Sequence, residues 1–334
     1  MRERPPVPDS DIAAAVAKEF QLDIADVRFL PVGFDVNTAA FEVRSGSESW
    51  FVKIRRDSPC ESSALIPHLL AEHGCAGVIP PLRTVGGDLS FRIGTCWATM
   101  SRFVAGSNAY DVRIPDAGWR TLADTLALLH ALSPDVRSGV DIPMERFGSQ
   151  VADAVRSEMC ALERHTPRDA TAEQTIRFLA GVRSRVAGLA DLCIDLGRDA
   201  AAADETEYVM CHSDLHAGNL HIGTDGDLYV VDWDELLLAP PERDLMFIGG
   251  GLLATGLDPS EECRMFYSSY SLHEPRPDLL TYFRIRRILV DIVEFCRLLF
   301  GDGGADEDRV DSLGFLKSNF DDGGTIDVAL ESWR

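Results

Sequence analysis

The sequence predicts an α+β protein of two lobes, a small strand-rich lobe with one helix and a larger helical lobe. The length of 334 residues is more than one ordinary core requires and suits two. Apolar residues recur with a period near two in the first part of the chain, and with a period near 3.6 from about residue 106. A short strand-and-loop island at 207–234 interrupts the helical part. We therefore place the two lobes at residues 1–104 and 105–334.

The first lobe is predicted to begin with a helix at 10–20, which Ser10 and Asp11 are suited to cap. Runs typical of strands follow, separated by residues that favour turns. They lie at 26–35, 37–46, 48–56, 89–94 and 96–104. Such short, closely spaced strands favour a small antiparallel sheet.

A second helix is predicted between the third and fourth strands. Ser58 suits the N-cap, Pro59 suits the first turn and Gly74 suits the end. Glu61 stands three residues after Ser58, where it would complete a capping box. Pro67 predicts a kink or an interruption, because proline lacks the N–H that an inner helical turn uses.

The second lobe is predicted to be mostly helical, with amphipathic segments of good length on both sides of the island. They lie at 116–132, 146–165 and 171–196, and again from 243 to about 320. The sequence contains no internal repeat and no low-complexity linker.

The chain is strongly acidic, with 54 acidic and 32 basic residues and a formal net charge of −22. This charge argues against nucleic acid as a partner, because phosphate contacts need Lys and Arg. It suits a cationic small molecule, which an acid-lined cleft attracts. Solubility alone is the other interpretation, and composition does not decide between the two.

Several features favour a cytoplasmic protein that does not enter the membrane. No stretch of about 18 consecutive apolar residues exists. The opening MRERPPVPDSD lacks the apolar centre of a signal peptide. The eight cysteines form no C-x-x-C pair, which indicates reduced thiols and no structural zinc site.

The island carries the chemistry in two stretches, CHSDLHAGNL at 211–220 and LYVVDWDE at 228–235. A short hairpin would bring Asp214, Asn219 and Asp232 together at neighbouring strand ends. Carboxylate and carboxamide oxygens are ligands that magnesium takes, and a carboxylate left off the metal can accept a proton. An Asx-turn pair that stabilises a loop is the structural alternative.

These residues match a known pattern. The stretch H-S-D-L-x-x-x-N resembles the catalytic loop of protein kinases, and VVDWD resembles the strand and DFG element that follow it. The form HSDLHAGNL is similar to the aminoglycoside phosphotransferase family, and 231–251 is similar to its spectinomycin-phosphorylating branch. The resemblance extends from about 25 to 320 and implies a protein-kinase-like two-lobe fold.

The resemblance also implies roles for individual residues. Asp214 would be the catalytic base, and Asn219 and Asp232 would hold Mg²⁺ against the phosphates of ATP. The implied reaction phosphorylates a hydroxyl of a cationic aminocyclitol or aminoglycoside antibiotic, which confers resistance, and spectinomycin is the leading candidate. His212 is predicted to be structural, bonding the loop to the Asp232 segment, and the role of His216 is left open.

On the nucleotide side, Lys53 in WFVKIRR resembles the strand lysine that pairs with the α- and β-phosphates. An exposed edge lysine is the alternative. Glu61, or else Glu72, is its expected carboxylate partner, although Glu61 suits the capping box equally well. Gly33 is the one glycine of the loop PVGFDVNTA, where backbone N–H groups would cover the phosphates.

The segment 100–104 is predicted to be the hinge between the lobes. By position, the backbone groups of Ser101 and Phe103 would bond the edge of the adenine ring. Asp234 and Glu235 come just after the metal aspartate, beyond Trp233, so they are the candidates for the wall of the acceptor pocket.

Two other functions remain open on the sequence. A metabolic kinase for choline, an amino alcohol or a sugar would carry the same catalytic loop. An inactive nucleotide-binding scaffold is the second alternative, which the intact set of Asp214, Asn219, Asp232 and Lys53 disfavours. The sequence leaves open the choice between ATP and GTP, the acceptor hydroxyl, and whether the protein is a monomer or a dimer.

Overall fold

The structure is a computed structural model of the chain. It describes residues 4, 6–32, 37–56, 61–132, 141–203, 207–253, 255–301 and 306–333. The predictions for Gly33, Ser58 and Pro59 lie outside the described residues.

The chain divides into two compact units. The first unit comprises Met1–Pro143, His212–Leu237 and Met265–Tyr270. The second comprises Met144–Cys211, Leu238–Arg264 and Ser271–Arg334. This division differs from the predicted lobe boundary at residue 104, which stays a prediction.

The first unit contains the predicted antiparallel sheet, whose five strands lie in the order β1-β2-β3-β5-β4. The elements are α1 (Asp9–Phe20), β1 (Asp26–Leu30), β2 (Thr38–Ser45), β3 (Glu48–Arg55), α2 (Glu61–Glu72), β4 (Phe91–Ile93) and β5 (Cys96–Arg102). All of its strand pairs are antiparallel. The α+β fold class, with a small antiparallel sheet and separate helices, is confirmed.

The two faces of this sheet have different roles because side chains alternate along each strand. On β3, Val52 and Ile54 are buried in the apolar core that includes Ile12 and Val16 of α1. Lys53 therefore points to the opposite face, where it lies across from Thr99 of β5. The alternation of β3 presents a lysine on the face that α1 does not cover.

Helix α2 runs from Glu61 to Glu72 without interruption, although it contains Pro67. Of the predicted kink or interruption, the interruption is therefore wrong, and the kink stays a prediction. Proline lacks the N–H that would bond within the helix. Pro67 and Leu70 are buried, so their packing compensates for the missing hydrogen bond.

A second sheet in the first unit has the order β6-β8-β9 and consists of short strands. They are β6 (Gly106–Asn108), β8 (Leu220–Gly223) and β9 (Leu228–Val230). The sequence predicts helical structure from about residue 106, so β6 is a correction. A Cβ at Gly106 would lie 2.0 Å from the carbonyl oxygen of Ile222, so this close pairing requires glycine. Helix α3 (Asp116–His130) packs against β9.

The second unit is mainly helical. Its elements are α4 (Gln150–Ala161), α5 (Ala170–Ala202), β7 (Val209–Cys211), β10 (Leu237–Ala239), α6 (Glu242–Leu245), α7 (Pro259–Tyr267), α8 (Pro277–Phe300), α9 (Asp306–Ser318) and α10 (Thr325–Glu331). The first residue of β10 and the end of α7 from Met265 belong to the first unit. The long helices α5 and α8 pack against each other, and α4 contacts both. Among the helices that the structure describes, none combines the length and the apolar character needed to cross a bilayer.

Candidate active site

The catalytic loop leaves β7 at Cys211 and enters β8 through a 3-10 turn at Ala217–Asn219. Ser213 has a φ of 72°, a left-handed conformation that is uncommon for a residue with a side chain. It directly precedes Asp214, whose side chain is 26% exposed. The loop thus holds a strained backbone beside a carboxylate that solvent reaches, a combination found at functional sites.

Asn219 fastens the loop to Asp214. Its Nδ2 donates to the backbone oxygen of Asp214 at 2.8 Å and lies 3.3 Å from Oδ2 of the same residue. The five-residue step between the two therefore places the amide against the carboxylate. Because Nδ2 faces Asp214, the amide directs Oδ1 of Asn219 away from it.

A backbone hydrogen bond of the preceding residue holds Asp232 near Asn219. The N–H of Val231 donates to the carbonyl oxygen of Asn219 at 2.9 Å. Asp232 itself has a φ of 64°, and its side chain is 48% exposed. The two residues offer a carboxamide and a carboxylate oxygen, so their donor chemistry fits a hard divalent cation such as magnesium.

His212 connects the catalytic loop to the Asp232 segment, as predicted. Its Nδ1 accepts from the N–H of Asp214 at 3.3 Å, so its Nε2 carries the proton and donates to the carbonyl oxygen of Val231 at 3.1 Å. The ring is fully buried and lies edge-on to Trp233, with centroids 4.8 Å apart. His212 therefore links the backbone at Asp214 to the backbone directly before Asp232.

His216 lies beside the candidate base. Its Nδ1 accepts from the N–H of Gly218 at 3.0 Å, so its neutral ring carries the proton on Nε2. That nitrogen is 3.4 Å from Oδ2 of Asp214. Tyr110, which is 54% exposed, stacks on the imidazole with centroids 6.0 Å apart. The sequence left the role of His216 open, and the geometry puts its Nε2 next to the carboxylate of Asp214.

Lys53 reaches this site from the five-stranded sheet. Its Nζ lies 2.8 Å from Oδ1 of Asp232 and 2.6 Å from Oδ2 of Asp234. Burial alone would lower the pKa of Lys53, but the attraction of the two carboxylates outweighs burial and raises the pKa. Lys53 is therefore held in its charged form. The alternative of an exposed edge lysine is wrong, since its side chain is only 25% exposed.

Asp234 pairs with two cations of the same strand, Lys53 and Arg55. Burial would raise the pKa of Asp234, but Lys53, Arg55 and a hydrogen bond from Ser63 lower it. We call Lys53, Arg55, Asp232 and Asp234 the lysine cluster. The predicted role of Asp234 in the acceptor wall is thereby corrected, because its carboxylate is engaged with β3.

The predicted ion pair of Lys53 with Glu61 is also corrected. Glu61 begins α2 with an exposed side chain, and the carboxylates within reach of Lys53 in the described part of the chain are Asp232 and Asp234. Helix α2 reaches Asp234 through Ser63 instead. A matched spacing, Lys-x-Arg on β3 and Asp-x-Asp at 232–234, was the signal in the sequence.

The other predicted site residues stay predictions. Ser101 is half-buried and lies opposite Phe51 on β3, which puts its side chain on the same sheet face as Lys53. The N–H of Phe103 donates to the carbonyl oxygen of Ser49 at 3.2 Å, so it is already used within the sheet. Glu235 is exposed.

Comparison with known proteins gives a consistent result. The model of the phosphotransferase enzyme family matches residues 26–265. No curated protein sequence gives a match. A crystal structure of the spectinomycin phosphotransferase APH(9)-Ia with ADP and spectinomycin has a TM-score of 0.86 and 26% identity, covering 98% of this chain and 99% of the other. Its AMP-bound complex has a TM-score of 0.83 and 25% identity, with 98% and 100% covered.

An aminoglycoside phosphotransferase from Alicyclobacillus acidocaldarius shares the fold at 18% identity, with a TM-score of 0.62 over 99% of this chain and 94% of the other. The resemblance that the catalytic loop indicated is therefore confirmed over most of the chain. The family also confirms a kinase-type reaction on a hydroxyl group. This chain belongs to the phosphotransferase enzyme family.

Proposed function

We propose that the protein transfers the γ-phosphoryl group of ATP to a hydroxyl of a cationic aminocyclitol or aminoglycoside, with spectinomycin as the leading acceptor. The observation that carries the proposal is that one compact unit holds both Asp214 bonded by Asn219 and Asp232 paired with Lys53. A base, a pair of hard oxygens and a buried cation are the parts that phosphoryl transfer needs.

In this proposal Asp214 accepts the proton of the attacking hydroxyl. Asn219 and the 3.4 Å contact of His216 both bear on the Oδ2 side of Asp214, which orients the carboxylate. A carboxylate with a fixed direction keeps the acceptor oxygen in line with the phosphorus atom, so that positioning contributes to the rate.

Asn219 and Asp232 are the residues that would hold magnesium. When bound, the ion neutralises charge between the β- and γ-phosphates. Lys53 supplies a further positive charge on the face of the sheet that α1 does not cover, where it binds the phosphates of the nucleotide. The carboxylates of Asp232 and Asp234 offset burial and raise the pKa of Lys53, so burial does not neutralise it.

The choice of acceptor rests on likeness and on charge. The similar structure with 26% identity was solved with ADP and spectinomycin bound, and the likeness extends over 98% of this chain. The net charge of −22 favours an acceptor with ammonium groups. Phosphorylation of such an antibiotic would make the protein a resistance enzyme. Every described cysteine is a free thiol, which supports a cytoplasmic location.

A coupled assay of ATP consumption tests the proposal with spectinomycin, several aminoglycosides, choline and simple sugars as acceptors. We expect turnover with spectinomycin, and a rate lower by roughly 10²–10⁴ with the Asp214→Asn variant. Turnover with choline, an amino alcohol or a sugar alone would instead establish the metabolic kinase. Binding of ADP without turnover of any acceptor would favour the inactive scaffold.

Salt dependence tests the cationic character of the acceptor separately. At about 0.15 M ionic strength the Debye length is about 8 Å, so added salt screens long-range attraction. We expect the KM for spectinomycin to rise with salt at fixed free magnesium, with a smaller effect on kcat. A KM that does not change would assign the −22 charge to solubility.

A further inference from the structure

Among the residues that the structure describes in α2, none is the carboxylate partner that was expected for Lys53. The carboxylates that contact its Nζ in the described part of the chain are those of Asp232, at 2.8 Å, and Asp234, at 2.6 Å. These two differ in burial, since the side chain of Asp232 is 48% exposed and that of Asp234 is 17% exposed. A metal ligand has to be accessible, whereas an anchor for a lysine benefits from burial.

Asp234 has three partners that keep its carboxylate in place. Lys53 and Arg55 approach it from β3, where they lie two residues apart on one face of the strand. Ser63 of α2 bonds the same side chain, and α2 packs against the 3-10 turn Trp233–Glu235. Asp234 is thus the point where β3, α2 and the segment after Asp232 are bonded together.

We propose that Asp234 is the positioning residue for Lys53 and takes the part that an acidic residue of α2 was expected to play. If Asp232 were to ligate a metal bound to the nucleotide, Asp234 would still hold the ammonium group of Lys53 on its face of the sheet. Arg55 neutralises the remaining charge of Asp234, which lets Lys53 act on the phosphates as a full positive charge. The inference rests on the proposed nucleotide site and is independent of the acceptor.

The arrangement also gives α2 a defined connection to the nucleotide. The path runs from the hydroxyl of Ser63 to Asp234 and from there to Lys53. Glu61, at the exposed beginning of the same helix, is not on this path. A change at Ser63 should therefore affect nucleotide binding more than a change at Glu61.

A double-mutant cycle on ADP affinity, measured by calorimetry with magnesium and without acceptor, tests the proposal. Asp234→Asn keeps the shape and removes the charge, and it should weaken ADP binding roughly tenfold in the wild-type background. In the Lys53→Met background the same change should cost less than about twofold, because the lysine it positions is gone. Glu61→Gln is the matched control and should leave the affinity unchanged.

Three outcomes would overturn the inference. Equal losses from Asp234→Asn in both backgrounds would mean that Asp234 acts on the fold and not through Lys53. A loss that excess magnesium restores would make Asp234 a metal ligand. A loss for Glu61→Gln as large as that for Asp234→Asn would return the anchoring role to α2. Binding of ADP by the wild-type protein shows that the nucleotide site itself stands, and thermal unfolding of each variant verifies that it is folded.

Discussion

The catalytic loop and the lysine cluster differ in how far apart their bonded residues lie along the chain. Within the loop, Asn219 bonds Asp214 five residues away, and His212 bonds Val231 nineteen residues away. In the lysine cluster, Lys53 bonds Asp232 and Asp234 across 179 and 181 residues. The loop is thus organised by nearby residues, and the cluster depends on how β3 and α2 pack beside the island.

This difference shows for which residues a sequence motif can predict a partner. A fixed spacing such as D-x-x-x-x-N encodes its own geometry, because a short turn leaves few ways to arrange it. The partner of Lys53 stands at no fixed distance along the sequence. The resemblance to kinases therefore predicted Glu61, whereas the packing of the fold places Asp234 beside Lys53. Substitutions of the carboxylate of Asp214 in the loop are therefore expected to lower the turnover rate. Substitutions in the lysine cluster are expected to lower the affinity for the nucleotide.

The largest effect is expected in the loop, at Asp214. Asp214→Asn keeps the size and removes the proton acceptor, so kcat should fall by roughly 10²–10⁴ while ADP affinity stays near that of the wild type. Steady-state kinetics with the best acceptor and calorimetry with ADP measure the two quantities. Asp227→Asn, an exposed carboxylate before β9, is the control. Turnover close to wild type would remove Asp214 from the reaction.

Asp232 belongs to the lysine cluster and is also, with Asn219 of the loop, a candidate metal ligand, so its replacement separates these two roles. Asp232→Asn removes a metal ligand and also one of the two carboxylates on Lys53. Affinity for ADP with magnesium should fall roughly tenfold or more, whereas affinity in EDTA should stay equal or rise, because Lys53 is released toward the phosphates. Calorimetry with and without EDTA makes the comparison. Unchanged affinity with magnesium would give the VVDWD segment a structural role only.

The sequence predicted the elements whose pattern is local. The helix at 10–20 matches α1, and the strands around Lys53 match β2 and β3, because apolar periodicity acts over a few residues. The predicted caps Ser10 and Asp11 are wrong, since the N-cap is Pro8 and no side chain caps this helix. Strand β6 was missed, since Gly106–Asn108 has no strand propensity and exists through its pairing with β8. Asp234 was misassigned for the same reason, as its partners lie on a distant strand.

The strained backbone of the loop gives an effect of intermediate size. Ser213 is buried and has a φ of 72°, a conformation that costs most residues roughly 1–2 kcal/mol. Ser213→Gly should leave the free energy of unfolding within about 1 kcal/mol of the wild type, because glycine adopts this conformation freely. Ser213→Val should lower it by about 2 kcal/mol or more, since a β-branched residue is poorly suited to a positive φ. Urea unfolding of both variants measures the difference, and equal stability would mean that the loop adopts another conformation.

The smallest effect is expected in a long-range ion pair of the second unit, which resembles the lysine cluster in its separation along the chain. Asp169 caps α5 by accepting from the N–H of Ala172 at 2.8 Å, and it pairs with the buried Arg309. Arg309 and the bond to Ala172 lower the pKa of Asp169 from 3.8 to about 2. No sequence motif predicts this pair, just as none predicts the partner of Lys53.

Because the pKa of Asp169 is lower in the folded state, its contribution to stability is present above pH 4 and is lost as the pH falls toward 2. Asp169→Asn should therefore lower the urea midpoint at pH 7, and the gap to the wild type should shrink between about pH 4 and pH 2. Asp195→Asn, at an exposed position of the same helix, is the control and should follow the wild type. ADP affinity should not change in either variant. A gap that stays constant with pH would mean that the capping bond acts without the charge, and a loss of ADP affinity would mean that long-range ion pairs in the second unit also support the site.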